Sequence, residues 1–320
     1  MTAIAILHPT NLQGKELRET IEARHPGWTD IRLLSTREDE IGTLTEAAGA
    51  AALVNRYEPE ALEGVDLAFL CGTAEENRPI LGELPAGATA ILLSPDATLE
   101  DGVPVVAGVN SEAAHGRRTL VSPHPAAVIL AHLLSPLREF APTEAVATLM
   151  QPASMKGQAG LEELFENSRQ IVAMTSRTST PVFGTQLAFN VLPASAEAAG
   201  DQLHTVLAGA PPVTLQILQG GVFHGVAASL LVRCPSNPTL AAFRKALGEN
   251  PVLEAAVKPR LLGPVDAAGS DKVILGSLRK DETGAFWLWA VMDNLTRGGA
   301  LNALEIAEAV LQAPFLQAGK

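Results

Sequence analysis

The first third of the chain alternates short, mostly apolar runs with segments whose apolar residues recur every three or four positions. Ala3–Leu7, Ile31–Leu34, Val65–Leu70, Ala88–Leu93 and Val105–Val109 are too short for helices and read as strands buried on both faces. Between them, Gly14–Arg24 places Leu17 and Ile21 on one helical face, and Ala74–Leu84 reads as a second helix. That rhythm predicts a Rossmann-like, doubly wound parallel sheet. A further helix opens near Pro125 and runs to about Leu134.

From Glu144 the apolar segments lengthen. Ala145–Met150, Val213–Leu218, Phe223–Val232, Val273–Leu278 and Ala285–Met292 suit a mixed or antiparallel sheet, so a second α/β domain is expected. Ala159–Gln170, Pro238–Leu247 and Ala300–Leu311 read as helices, the last preceded by Gly298-Gly299 as a tight turn. Ala194–Gly200, made mostly of small residues, is expected to be flexible.

Composition narrows the function classes. The 320 residues suffice for two domains, and 47% hydrophobic residues is ordinary for a globular protein. A net charge of −12 argues against nucleic acid or an anionic membrane as partner. The opening Met1–His8 lacks a basic region before its apolar run and reads as a strand, not a signal peptide. No stretch is long enough to span a membrane, so a cytoplasmic location is the default expectation. Cys71 and Cys234 are too few for a disulfide framework and lack metal-ligand spacing, so no metal is expected.

Three blocks carry a family resemblance. Gln186-Leu187-Ala188-Phe189-Asn190-Val191-Leu192-Pro193, the long segment Leu288–Ala303 with its Asp293-Asn294-Leu295 turn, and Leu62–Phe69 resemble, in order and spacing, the aspartate-semialdehyde dehydrogenase family. The departures resemble its divergent Usg-like branch. The resemblance implies a dinucleotide-type domain over residues 1–124, to which a helix over 300–320 returns. It also implies a catalytic and dimerisation domain over 125–299, a homodimer, and NADP as cofactor.

The family's active parts can be followed one by one. The family's catalytic cysteine, which forms a thioester with substrate, falls on Pro125 within Leu120–Val128. Proline has no nucleophile, but it suits the first turn of a helix. His124 beside it would be kept neutral by the helix N-terminus, and Ser122 reads as a helix cap. The family's general-base histidine falls on His224, and a glutamine that positions the acyl intermediate falls on Gln151. Its first glycine-rich turn reads His8-Pro9-Thr10-Asn11-Leu12-Gln13-Gly14 here, keeping only Thr10 and Gly14; Asn11 tolerates the positive φ that the turn needs. His8 reads as a loop histidine without a ligand.

The turn beside the nicotinamide becomes Ser154-Met155-Lys156-Gly157-Gln158, with Met155 on a glycine position. Leu99 and the segment Thr214–Leu218 replace the arginines for phosphate and for the substrate carboxylate, which they cannot do chemically. Gly72 and Asn294 complete the cofactor-binding candidates, and Arg37 is the candidate for a 2′-phosphate. Convergent loss of nucleophile, clamps and glycines implies a catalytically inactive homologue acting as a binding or scaffold protein, and weakens the case for NADP. The alternative is an NADP-dependent semialdehyde oxidoreductase with an altered substrate, using His224 and Gln151.

Overall fold

The computed structural model describes residues 2–25, 27–28, 30–174 and 179–312. The chain divides into two compact units, residues 1–123 with 299–320, and residues 124–298.

The first unit runs β1 (Ala3–Leu7), α1 (Leu12–Arg24), β2 (Asp30–Ser35), β3 (Leu44–Ala47), β4 (Ala50–Leu53), β5 (Asn55–Arg56), β6 (Leu67–Leu70), α2 (Ala74–Gly82), β7 (Thr89–Leu92), β8 (Val103–Pro104) and β9 (Thr119–Val121). Its seven-stranded sheet has the order β5-β2-β1-β6-β7-β9-β8, and every pairing in it is parallel. From β1 the chain goes to β2 on one side and later to β6 on the other, which makes the end of β1 a topological switch point.

Alternation sorts the strand residues onto two cores. Ile4, Ile6, Leu33 and Phe69 pack under α1, while Ala5, Leu7, Leu34 and Leu70 pack under α2. Both faces are covered, which is why these runs carry so little polar alternation.

The second unit runs α3 (Pro125–Leu134), β10 (Glu144–Gln151), α4 (Gly157–Val172), β11 (Val191–Ala194), α5 (Glu197–Val206), β12 (Val213–Gly220), β13 (Val226–Arg233), α6 (Leu240–Gly248), β14 (Leu253–Ala255), β15 (Val273–Lys280) and β16 (Phe286–Met292). Its sheet is mixed, in the order β11-β12-β10-β13-β16-β15-β14, with β10 parallel to β12 and antiparallel to β13. All ten residues of α3 are buried, so it is a core helix and not an amphipathic one. The chain then forms α7 (Leu301–Gln312), whose Ala303, Leu304 and Ala307 belong to the core of the first unit.

Three expectations are corrected. The strand over Val105–Val109 is only Val103–Pro104; the chain then turns because Asn110 accepts from Val106 N and donates to Pro104 O. The segment Ala194–Gly200 is the end of β11 and the start of α5, since its alanines favour helix and Ala199 has a core to enter. Gly298 and Gly299 do not adopt a left-handed φ. Gly298 is there for closeness: a Cβ on it would stand 3.0 Å from Pro125 Cβ and 2.8 Å from Met292 Cε. The expected helix over 300–320 is seen to Gln312, and residues 313–320 lie outside the described residues.

Candidate functional site

In the second unit the candidate residues gather around the start of α3 and the end of β10. Pro125 is the first residue of α3, where its missing N–H costs no hydrogen bond. The cap is His124 and not Ser122. His124 Nδ1 accepts from Ala126 N at 3.0 Å, and His124 N donates to Gln202 Oε1 at 2.7 Å. Ser122 instead accepts from Asn302 Nδ2 at 2.9 Å, inside the first unit. An imidazole can replace a hydroxyl cap here because a buried neutral ring presents a bare nitrogen. Burial lowers the His124 pKa to about 4, against a smaller opposing influence of the Gln151 amide. With Nδ1 accepting, the ring proton resides on Nε2.

Gln151 ends β10 and lies opposite Gln219 of β12 in the parallel register. Gln151 Nε2 donates to Gln219 Oε1 at 3.0 Å, and Gln219 Nε2 donates back to Gln151 O at 3.2 Å. Gln151 Oε1 is buried without a hydrogen-bond partner.

Beyond Gln151 the chain turns through Ala153 and Ser154. Their N–H groups donate to Val222 O at 2.8 Å and Phe223 O at 3.1 Å. Asn294 Nδ2 donates to Ser154 Oγ at 3.1 Å, and Asn294 Oδ1 accepts from Gly225 N at 2.8 Å. The turn bearing His224 is thus pinned on both sides to the end of the Gln151 strand. His224 itself is exposed. Gly225 is needed there, because it has φ +84° and a Cβ on it would meet Pro264 O at 2.8 Å. Gly157 (φ +66°) begins α4.

The remaining candidates, Thr10, Asn11, Gly14, Arg37 and Gly72, belong to the first unit. Asn11 has φ −69° and caps α1, accepting from Gly14 N at 2.8 Å while Nδ2 donates to Cys71 O at 2.7 Å. The left-handed residue of this turn is His8, at φ +57°, and not Asn11. A non-glycine there costs about 1 kcal/mol of backbone strain. His8 lies in the loop between β1 and α1, as expected, and is fully buried there. Gly14 keeps its glycine because a Cβ would come within 2.7 Å of Pro9 Cα.

Neither thiol is activated. Burial pushes the Cys71 thiol far up, with Glu40 adding to the effect and Arg18 opposing it. Burial also raises Cys234, against Lys280. Cys234 follows the far end of β13 from His224, so the eight residues of that strand, roughly 26 Å, separate them. A reactive cysteine needs the opposite shift. Among the described residues no group of three or more His, Cys, Asp or Glu could hold a metal ion.

Residues 134–297, just over half of the chain, match the semialdehyde dehydrogenase dimerisation domain. The chain belongs to the semialdehyde dehydrogenase family. An aspartate-semialdehyde dehydrogenase of Synechocystis sp. is 26% identical over 338 residues, covering 98% of each chain. A USG-1 protein homolog of Azotobacter vinelandii is 28% identical over 333 residues, covering 97% of each. A probable aspartate-semialdehyde dehydrogenase from Pseudomonas aeruginosa shares the fold at a TM-score of 0.89 and 24% identity, over 98% of this chain and 99% of that one.

The second unit brings its candidate residues into one polar site. It is built from amides, a neutral imidazole and a hydroxyl, which can hydrogen-bond a carbonyl or amide but offer no nucleophile at the helix start. Nor do the residues of the first unit fit NADP. Arg37 donates to both oxygens of Glu76, at 2.7 and 2.8 Å, and to Glu40 Oε1 at 3.3 Å. Two carboxylates therefore occupy the guanidinium that a 2′-phosphate would require.

Sequence reasoning did not single out Gln202 and Gln219. Gln219 could have been found by pairing strand ends, since it is the residue opposite Gln151. Gln202 could not, because its helix α5 begins in the segment expected to be flexible.

Proposed function

We propose that this chain is a non-catalytic, homodimeric member of the semialdehyde dehydrogenase family, serving as a binding or scaffold protein. The observation that carries the reading is Pro125 at the first position of α3, with both thiols buried and held protonated elsewhere. Acyl transfer through a thioester needs a thiolate in reach of the base. His224 alone supplies a base with nothing to activate. Where catalytic residues act as a unit, loss of the nucleophile costs on the order of 10⁶ in turnover.

Dimerisation is supported by the domain match and by the face of the second sheet that carries Val146, Trp287 and Trp289. These apolar residues are incompletely covered within one chain.

The test is a coupled assay of the pure protein with aspartate semialdehyde, phosphate and NADP, together with light scattering after gel filtration. The expected result is no NADPH above background and a particle of twice the chain mass. Sustained NADPH formation that is abolished by His224→Ala would establish the rival reading of a working oxidoreductase.

A further inference from the structure

In a doubly wound sheet a dinucleotide binds outside the carboxyl ends of the strands, at the switch point. Its pyrophosphate lies on the first strand–helix turn and its adenosine ribose lies near the end of the second strand. Here that crevice falls between the ends of β2, β1 and β6, and three of the chain's own links cross it.

The first link is the His8 ring. Its Nδ1 stands 3.1 Å from Ser35 Oγ at the end of β2 and 3.7 Å from Glu40 Oε2, and its Nε2 stands 3.5 Å from Thr36 Oγ1. On the other side its Cδ2 would lie only 2.7 Å from a Cβ built on Gly72, just beyond β6. The imidazole therefore fills the gap across the switch point, and it is fully buried there. Gly72 makes room for this ring, not for a phosphate. The second link is Asn11, which caps α1 with one amide atom and holds Cys71 O with the other.

The third link is the ion pair from Arg37, after β2, to Glu76, in the first turn of α2. Glu76 also accepts from Thr73 N at 2.8 Å, completing a capping box. Asp96 accepts from the next amide, Ala74 N, at 3.2 Å. The anion-receptive start of α2 is thus answered by two internal carboxylates.

We infer that the dinucleotide crevice of the first unit is closed by the chain itself, with His8 as the plug and Arg37–Glu76 as the clasp, so that this unit takes neither NADP nor NAD. The inference stands apart from the proposed loss of thiol chemistry. A chain without the cysteine could still bind the cofactor, and NADP binding would sink this inference while leaving that reading intact.

The experiment is calorimetric titration of the full chain with NADP, NADPH, NAD and NADH, paired with thermal melts at 1 mM ligand. The wild-type chain is expected to show no saturable heat and no change in Tm. The opening variant is His8→Gly with Glu76→Gln. Glycine suits φ +57°, removal of the ring vacates the gap, and glutamine can keep the capping box while removing the shorter of the two carboxylate pairs of Arg37. Circular dichroism establishes that the variant is folded.

In that variant NADP is expected to bind at least tenfold more tightly than to the wild type, and more tightly than NAD, because Arg37 then keeps only its longer contact, 3.3 Å, to Glu40. Saturable binding of any of the four by the wild type overturns the inference. So does a folded double variant that gains no binding. Should the double variant fail to fold, the wild-type titration decides by itself.

Discussion

His132 is held as a neutral base by its burial, and the second unit is therefore expected to lose stability in acid. It lies in the third turn of α3, 1% exposed, and neither ring nitrogen has a hydrogen-bond partner. Burial, assisted by the like charge of Arg297, lowers its pKa from 6.5 to about 3. His124, on the same helix, falls to about 4.

The sign follows from proton counting. Below pH 6.5 the unfolded chain binds a proton at each site and the folded chain does not, so stability falls as pH falls. At about 1.4 kcal/mol per pH unit, each histidine costs about 2 kcal/mol between pH 7 and pH 5. The loss continues until the folded values are reached. The two together remove about 4 kcal/mol from a fold of ordinary total stability, 5–15 kcal/mol.

The perturbation is His132→Leu, similar in size and without a titrating group. Urea unfolding at pH 5, 6 and 7 measures it. Trp287 and Trp289 both lie on β16 of the second unit, and Trp28→Phe silences the tryptophan of the first. The wild type should lose about 4 kcal/mol over that range and the variant about 2, because only His124 then titrates. Carboxylates shared by both proteins cancel in the comparison. At pH 7 the variant should be no less stable, since leucine leaves no buried nitrogen unsatisfied. Equal pH slopes for the two proteins would refute the reasoning.

Three further outcomes are expected. Asn302→Ala should destabilise the first unit by about 3 kcal/mol in thermal or urea melts, because the fully buried amide holds Ala107 N, Val105 O and Ser122 Oγ together. Gly14→Ala should cost at least about 2 kcal/mol, since its methyl would press on the backbone of His8 and Pro9, which cannot move aside as a side chain would. Pro125→Cys should remain inactive in the NADP-linked assay, because it restores a thiol but no charged clamp for substrate. Turnover by this single variant would show that the rest of the site had been intact.

What the sequence discloses depends on how local each determinant is. The strands Ala3–Leu7 and Leu67–Leu70 are legible because a strand buried on both faces needs nothing but apolar residues. Helix α3 is legible because proline at its first position and an apolar run interrupted only by His132 both act within ten residues. The hairpin of β3 and β4 is not. Its sequence, Leu44-Thr45-Glu46-Ala47-Ala48-Gly49-Ala50-Ala51-Ala52-Leu53, has helical composition, and only the left-handed pair Ala48-Gly49 (φ +52° and +70°) turns it back. Alanine at such a position is poor turn chemistry, so propensity points the wrong way.

The candidate site divides in the same manner. Pro125, Gln151 and His224 could be picked out because each sits in a short recognisable block. Their partners could not. Gln219 meets Gln151 across 68 residues of chain, and Glu76 meets Arg37 across 39. An arginine after β2 reads in sequence as a phosphate ligand or a solvated charge, yet its pairing with Glu76 holds that carboxyl down to about 2, through the Arg37 hydrogen bonds and against burial. A carboxylate so strongly committed to its guanidinium is part of the fold's own bonding.

The same holds for His8, whose ring is buried among Ser35, Thr36, Glu40 and Gly72. In both units, several positions that the resemblance assigns to a ligand or a cofactor, Asn11, Arg37, Ser154 and Asn294 among them, are bonded to groups of the chain itself. This inward bonding is what the proposed non-catalytic reading expects, and not what a change of substrate expects. A new substrate would demand unsatisfied, preorganised polar groups facing open space. Here most of the buried polar atoms at these positions are bonded inward; Gln151 Oε1 and, beside His8, Glu40 Oε2 are exceptions.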